Sequence, residues 1–241
     1  MTLKLETAML MAAGLGKRMR PLTATRPKPL IRVGGQPLID HALDRIEEAG
    51  IRRTVVNVHY LADSIVAHLR ARARQTGAEY LISDERDRLL ETGGGLVKAL
   101  PLLGDEPFLC AASDNLWLNG PYDAIHQLAA RWDDALMDVL LLMVPHACAT
   151  GHAGPGDFHM DGAGRVTRRK PGRLAPFVFT AVQIISPRLI VDPPSDHFST
   201  NIFWDRAIAA GRAYGFVHTG LWFDVGTPAA LPLVEAALRG G

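Results

Sequence analysis

Cysteine is scarce in this 241-residue chain, with only Cys110 and Cys148 present. Two thiols cannot build a disulfide scaffold, and their scarcity fits a reducing compartment. Long apolar runs are missing as well, since no stretch reaches the roughly 18 apolar residues of a membrane span. The N-terminal run Ala8–Ala13 is six residues long, below the roughly 7–15 of a signal-peptide core, and reads as a first buried strand. Charge of one sign is also lacking. With 26 basic residues against 25 acidic ones, a formal net charge of +1 offers no global field for nucleic acid or an anionic membrane. No internal repeat occurs, and in particular no hexapeptide period of a β-helix. A hydrophobic content of 48% is enough to build a substantial core. The composition therefore predicts a soluble, cytoplasmic protein, a monomer or small homo-oligomer, with residues 1–241 forming a single domain.

Short apolar runs alternate with amphipathic stretches through the first half. Ala8–Ala12, Thr54–Val58, Glu79–Ile82, Phe108–Ala112 and Val139–Val144 are expected as strands. Between them lie expected helices near 37–49, 62–73, 94–103 and 122–130. This βαβα rhythm predicts an α/β fold, a Rossmann-like and mostly parallel sheet sandwiched by helices. Ligands of such sheets gather beyond the C-terminal ends of the strands. From Pro145 the chain turns rich in Gly, Pro and His, and residues 145–185 are expected to form a small antiparallel excursion or lid. Strand 176–185, helix 199–210, strand 213–218 and a last helix 229–238 complete the expected pattern.

The most informative segment is Leu10-Met-Ala-Ala-Gly-Leu-Gly-Lys-Arg-Met-Arg-Pro-Leu-Thr, continuing to Arg26-Pro-Lys-Pro-Leu30. Gly14 and Gly16 follow the first strand, where backbone amides can approach phosphate oxygens without obstruction from a Cβ. Lys17, Arg18, Arg20, Arg26 and Lys28 place five cations within a dozen residues. A polyphosphate, with its several negative charges, needs such a set. The spacing is not G-x-x-x-x-G-K-[ST], so a P-loop is excluded. Met19 stands where a dinucleotide fingerprint needs its third glycine, which argues against a dehydrogenase.

Taken together, the string resembles the signature of sugar-1-phosphate nucleotidylyltransferases. Ala12, Ala13, Gly14, Gly16, Lys17, Arg18, Met19, Pro21, Leu22, Thr23, Pro27, Lys28, Pro29 and Leu30 all match it. The resemblance implies the nucleotide-diphospho-sugar transferase fold and transfer of a nucleotidyl group from a nucleoside triphosphate to a sugar 1-phosphate. It implies that Arg18 meets the leaving phosphates, Lys28 the α-phosphate or sugar phosphate, and Ala13-Gly14 the base.

Two aspartates are candidate metal ligands. Asp114 follows an apolar strand in Ser113-Asp114-Asn115, and Asp224 lies in Leu221-Trp-Phe-Asp-Val-Gly-Thr-Pro228. A strand-end aspartate suits Mg²⁺ bridging phosphates, although each could instead serve as a turn residue. The resemblance assigns both to the catalytic magnesium. Leu90-Glu-Thr-Gly-Gly-Gly-Leu96 opens a helix, where Gly93 is expected against the nucleotide and Glu91 against sugar hydroxyls. This segment, with Ser83, Glu85 and Gly156-Asp157-Phe158, is similar to the branch that uridylylates N-acetylmuramate 1-phosphate in cell-wall recycling. That similarity places Glu85 at the nucleotide and Asp157 at the sugar. Lys170 is a further candidate for a phosphate, in Arg169-Lys-Pro where many relatives carry Glu-Lys-Pro. Guanylyl transfer to mannose 1-phosphate, thymidylyl transfer to glucose 1-phosphate and a non-catalytic nucleotide-sugar sensor are the alternatives. His146, Cys148, His152 and His159 fit no zinc spacing, and no G-x-S-x-G elbow occurs. The aromatic residues are not interleaved with a basic stripe, so stacking on single strands is not expected.

Overall fold

Seven apolar segments pair into the central sheet of the computed structural model, which describes residues 2–240. In chain order they are β1 (Thr7–Met11), β2 (Arg53–Val58), β3 (Glu79–Asp84), β4 (Phe108–Ala112), β5 (Val139–Pro145), β6 (Phe177–Ile185) and β7 (Ala213–Val217). Their spatial order is β7-β5-β6-β4-β1-β2-β3. Only β6 runs against its neighbours; every other pair in that path is parallel.

The register explains the core. Leu10 and Met9 are both 0% exposed, yet they face opposite layers, as successive strand residues must. Leu10 packs with Ile39, Leu43 and Ile46 of α1 (Leu38–Glu48), Ile65 and Leu69 of α2 (Ala62–Thr76), and Ile125 and Leu128 of α4 (Ala124–Arg131). Met9 packs with Leu96 and Ala99 of α3 (Glu91–Leu103) and Phe203 of α5 (Asn201–Ala209). A third apolar cluster joins Val234 of α6 (Leu231–Gly240) to Met19, Val33, Leu38 and Val225, which anchors the loop after β1 from behind. Cys110 lies in the second layer, and burial pushes its thiol up to about 12, as befits an inert core residue. Among the described residues, no helix is long and apolar enough to cross a membrane.

The excursion is stitched to the sheet: strands Phe158–Met160 and Val166–Arg168 pair with each other, and Phe158 pairs with Phe177 of β6. Within β6 the register shifts between Phe179 and Gln183, around Ala181 at φ 62, so the strand bends between two sets of partners. A small second sheet departs from the sequence reading. It joins Asn115–Leu118 to Leu221–Asp224 and Ala149–Thr150. These strands are only two to four residues long, too short to leave a periodic signature.

Candidate active site

The glycine-rich loop leaves β1 at the C-terminal edge of the sheet and bounds a cavity of about 490 Å³. Residues from Met11 to Met19 line one wall, and Lys28, Asn57, Glu91, Ser113 and Asp114 complete it. The two loop glycines answer to different demands. Gly16 sits at φ +60, and a Cβ there would lie 2.9 Å from Thr23 Cγ2, so the fold itself requires glycine. Its carbonyl accepts a hydrogen bond from Thr23 Oγ1 at 2.9 Å. Gly14 has an exposed backbone on the cavity, and a Cβ there would meet no protein atom within 4 Å. Its bareness serves whatever enters the cavity. Gly14→Ala is therefore expected to leave the melting temperature unchanged. Thermal unfolding checks it.

Three of the five loop cations, Lys17, Arg18 and Lys28, line the cavity; Arg20 and Arg26 do not. Lys28 is held in a short 3₁₀ turn, Lys28–Leu30, between Pro27 and Pro29. Its ammonium donates to Asp114 Oδ2 at 2.7 Å, with the lysine side chain 9% exposed and the aspartate 35%. Asp114 in turn accepts from Asn115 Nδ2 at 3.2 Å. Asn115 is the cross-strand partner of Asp224, so the second sheet brings the two aspartate positions next to each other. Arg18 joins them: a Cβ on Gly226 would lie 2.8 Å from Asp224 Oδ1 and 3.0 Å from Arg18 Nη1. Gly226 is small because a carboxylate and a guanidinium flank it.

Other candidates stand elsewhere. Glu91 lines the cavity at φ 60, a backbone region unfavourable for any residue but glycine. Glu85, expected at the nucleotide, is 0% exposed and lies behind Asn57. Gly93, also expected at the nucleotide, is buried and outside the cavity lining. A Cβ there would lie 2.5 Å from the Phe198 ring, and Gly93 N–H donates to the Phe198 carbonyl at 2.8 Å. A Cβ on Gly94 would come within 2.0 Å of the Asp196 carbonyl oxygen. This glycine run accommodates the chain's own 196–198 segment. Asp157 is outside the cavity lining and accepts from Phe179 N–H at 2.9 Å, holding the hairpin to β6. Lys170 is exposed in the turn that follows, also away from the cavity lining.

Asn57 is a site residue that the sequence reading misses, although it lines the cavity and accepts from Ala12 N–H at 2.7 Å. The available signal is a lone amide in the apolar strand Thr54-Val-Val-Asn-Val58.

The chain is similar to known proteins along most of its length. A family model described as nucleotidyl transferase matches residues 7–170. N-acetylmuramate alpha-1-phosphate uridylyltransferase of Caulobacter vibrioides is 44% identical, over 97% of this chain and 97% of that protein. The enzyme of the same name from Neisseria meningitidis serogroup B is 33% identical, over 95% of this chain and 96% of its own. Among solved structures, the inositol-1-phosphate CTP transferase from T. maritima superposes with a TM-score of 0.78 at 17% identity, covering 100% of this chain and 99% of that one. At that identity the likeness speaks for the fold.

Proposed function

The chain belongs to the nucleotidyl transferase family, and from that premise we propose that it transfers a uridylyl group from UTP to N-acetylmuramate 1-phosphate. It is a sugar-1-phosphate nucleotidyltransferase. The choice of sugar and base rests on the full-length likeness to the Caulobacter enzyme. The observation that carries the chemistry is the cavity lined by Lys17, Arg18, Lys28 and Asp114 beside an open glycine-rich loop.

In this reaction an oxygen of the sugar phosphate forms a bond to the α-phosphorus, and the bond from that phosphorus to the bridging oxygen of the β-phosphate breaks. Pyrophosphate leaves with the electron pair. The attacking phosphate has its second pKa near 6 and is already largely ionised at neutral pH, so no side chain has to remove a proton. The barrier is electrostatic, set by repulsion between two anions and by charge growing on the leaving group. In this reading Lys28 neutralises the α-phosphate, and Arg18 and Lys17 the departing phosphates. Gly14 lets the nucleotide approach the backbone.

The donor set at Asp114 and Asp224 suits Mg²⁺, which takes one or two carboxylates and completes its shell with phosphate and water. Asp114 is 35% exposed and has room for such a ligand. Among the described residues, no group of three or more His, Cys, Asp or Glu side chains forms an all-protein cage, and magnesium does not ask for one. When bound there, the ion would supply charge compensation between the phosphates.

The test is pyrophosphate release in the presence of Mg²⁺, measured for UTP, CTP, GTP, dTTP and ATP against N-acetylmuramate, N-acetylglucosamine, glucose and mannose 1-phosphates. UTP with N-acetylmuramate 1-phosphate should show the highest kcat/KM. A higher value for GTP with mannose 1-phosphate or dTTP with glucose 1-phosphate would replace this assignment. Absence of pyrophosphate in every combination would leave a binding module.

A further inference from the structure

We propose that Glu85 and Asn57 form a positioning pair: the buried carboxylate orients the Asn57 amide, and that amide holds the glycine-rich loop in the shape that receives the triphosphate. The proposal rests on the reading of the cavity as the triphosphate site. The hydrogen-bond polarity is forced from one end. Ala12 N–H can only donate, so Asn57 must present Oδ1 to it, at 2.7 Å. Asn57 Nδ2 then faces Glu85 Oε1 at 2.7 Å, and Glu85 Oε2 accepts from Leu90 N–H at 3.1 Å. Each carboxylate oxygen thus receives an N–H donor.

Both backbone groups of Glu85 are also engaged: its N–H donates to the Val58 carbonyl at 2.8 Å, and its carbonyl lies 2.7 Å from His59 Nδ1. The helix α3 is shaped around the pair. A Cβ on Gly95 would lie 2.9 Å from Glu85 Oε1 and 3.0 Å from Asn57 Nδ2. Glycine at 95 therefore makes room for a carboxylate that never reaches the cavity, and Asn57 carries its influence to the cavity wall.

Asn57→Asp puts two carboxylates face to face, which only a shared proton can bridge. The KM for UTP should rise roughly tenfold to a hundredfold near pH 8, the consequence of losing one buried hydrogen bond. The defect should shrink as the pH is lowered towards 6, while the KM for the sugar phosphate stays near wild type.

The double variant Asn57→Asp with Glu85→Gln conserves the total charge and restores the pattern. The amide introduced at position 85 donates to the carboxylate introduced at position 57 and accepts from Leu90 N–H. That carboxylate in turn accepts from Ala12 N–H. The KM of the double variant for UTP should return to within about threefold of wild type, a coupling characteristic of partners in contact. A double variant no better than Asn57→Asp, or an Asn57→Asp variant with unchanged KM for UTP, overturns the proposal.

Glu85→Gln alone removes the buried charge and provides a variant if Asn57→Asp does not fold. It sets two amides against each other and should raise the KM for UTP by a comparable factor; an unchanged KM again counts against the pair. Calorimetric titration of each variant with UTP, without sugar phosphate, reads the loop directly. Wild-type turnover in the same series tests the reaction assignment separately.

Discussion

Lys28→Ala should lower turnover by roughly a hundred- to a thousandfold, the effect of removing about 3–4 kcal/mol of transition-state stabilisation. The lysine side chain is 9% exposed and its ammonium reaches Asp114 at 2.7 Å, so water cannot readily substitute for it. Catalysis loses a fixed positive charge at the place where negative charge accumulates. The fold should lose little. Asp114 is 35% exposed and can be rehydrated, so the broken pair costs about 1 kcal/mol or less. That corresponds to a drop of about 2–4 °C in Tm for a chain of this size. Steady-state kinetics and thermal unfolding on one preparation check both numbers. Retention of more than a third of wild-type turnover would remove Lys28 from the chemistry.

Asp114→Asn is expected to abolish turnover nearly as completely, for a different reason. The substitution keeps the shape of the side chain, and Asn115 Nδ2, now 3.2 Å from Asp114 Oδ1, can still donate to the amide oxygen. What disappears is the negative charge that balances Lys28 and offers a hard oxygen to a divalent cation. Turnover should fall by about a hundred- to a thousandfold, and affinity for Mn²⁺, read by its paramagnetic signal, should fall with it. If the variant binds Mn²⁺ as the wild type does and keeps more than a third of its turnover, Asp114 is a structural partner of Lys28 and no more.

Much of this site is readable along the chain because its strongest signals are local. Gly14, Gly16 and the prolines around Lys28 act on the backbone within a few residues, and the cations between them are the type of side chain an anionic ligand needs. The same holds for the strands and helices, whose apolar spacing is a property of short segments. Reading fails where a residue type has two physical explanations. Gly93 and Gly94 look like a platform for a ligand, but their bareness accommodates Phe198 and Asp196, about a hundred positions downstream. Glu85 looks like a ligand contact because the resemblance to the uridylylating branch sets it at the nucleotide, but it is buried in the interior. The strands at 115–118 and 221–224 are too short to announce themselves, so the pairing of Asn115 with Asp224 is out of reach.

By itself, then, the amino-acid order determined the alternating α/β elements and the bare, cation-rich loop after the first strand, and its resemblance to a known signature implied the class of reaction. The elements and the loop follow from side-chain periodicity and backbone sterics, which act over a few residues. Only the tertiary structure decided that Lys28 meets Asp114 across 86 positions, that Asp224 joins them through a second sheet, and that Glu85 lies behind Asn57. Such distances depend on how crossovers stack one element on another, and no short stretch of chain contains that information.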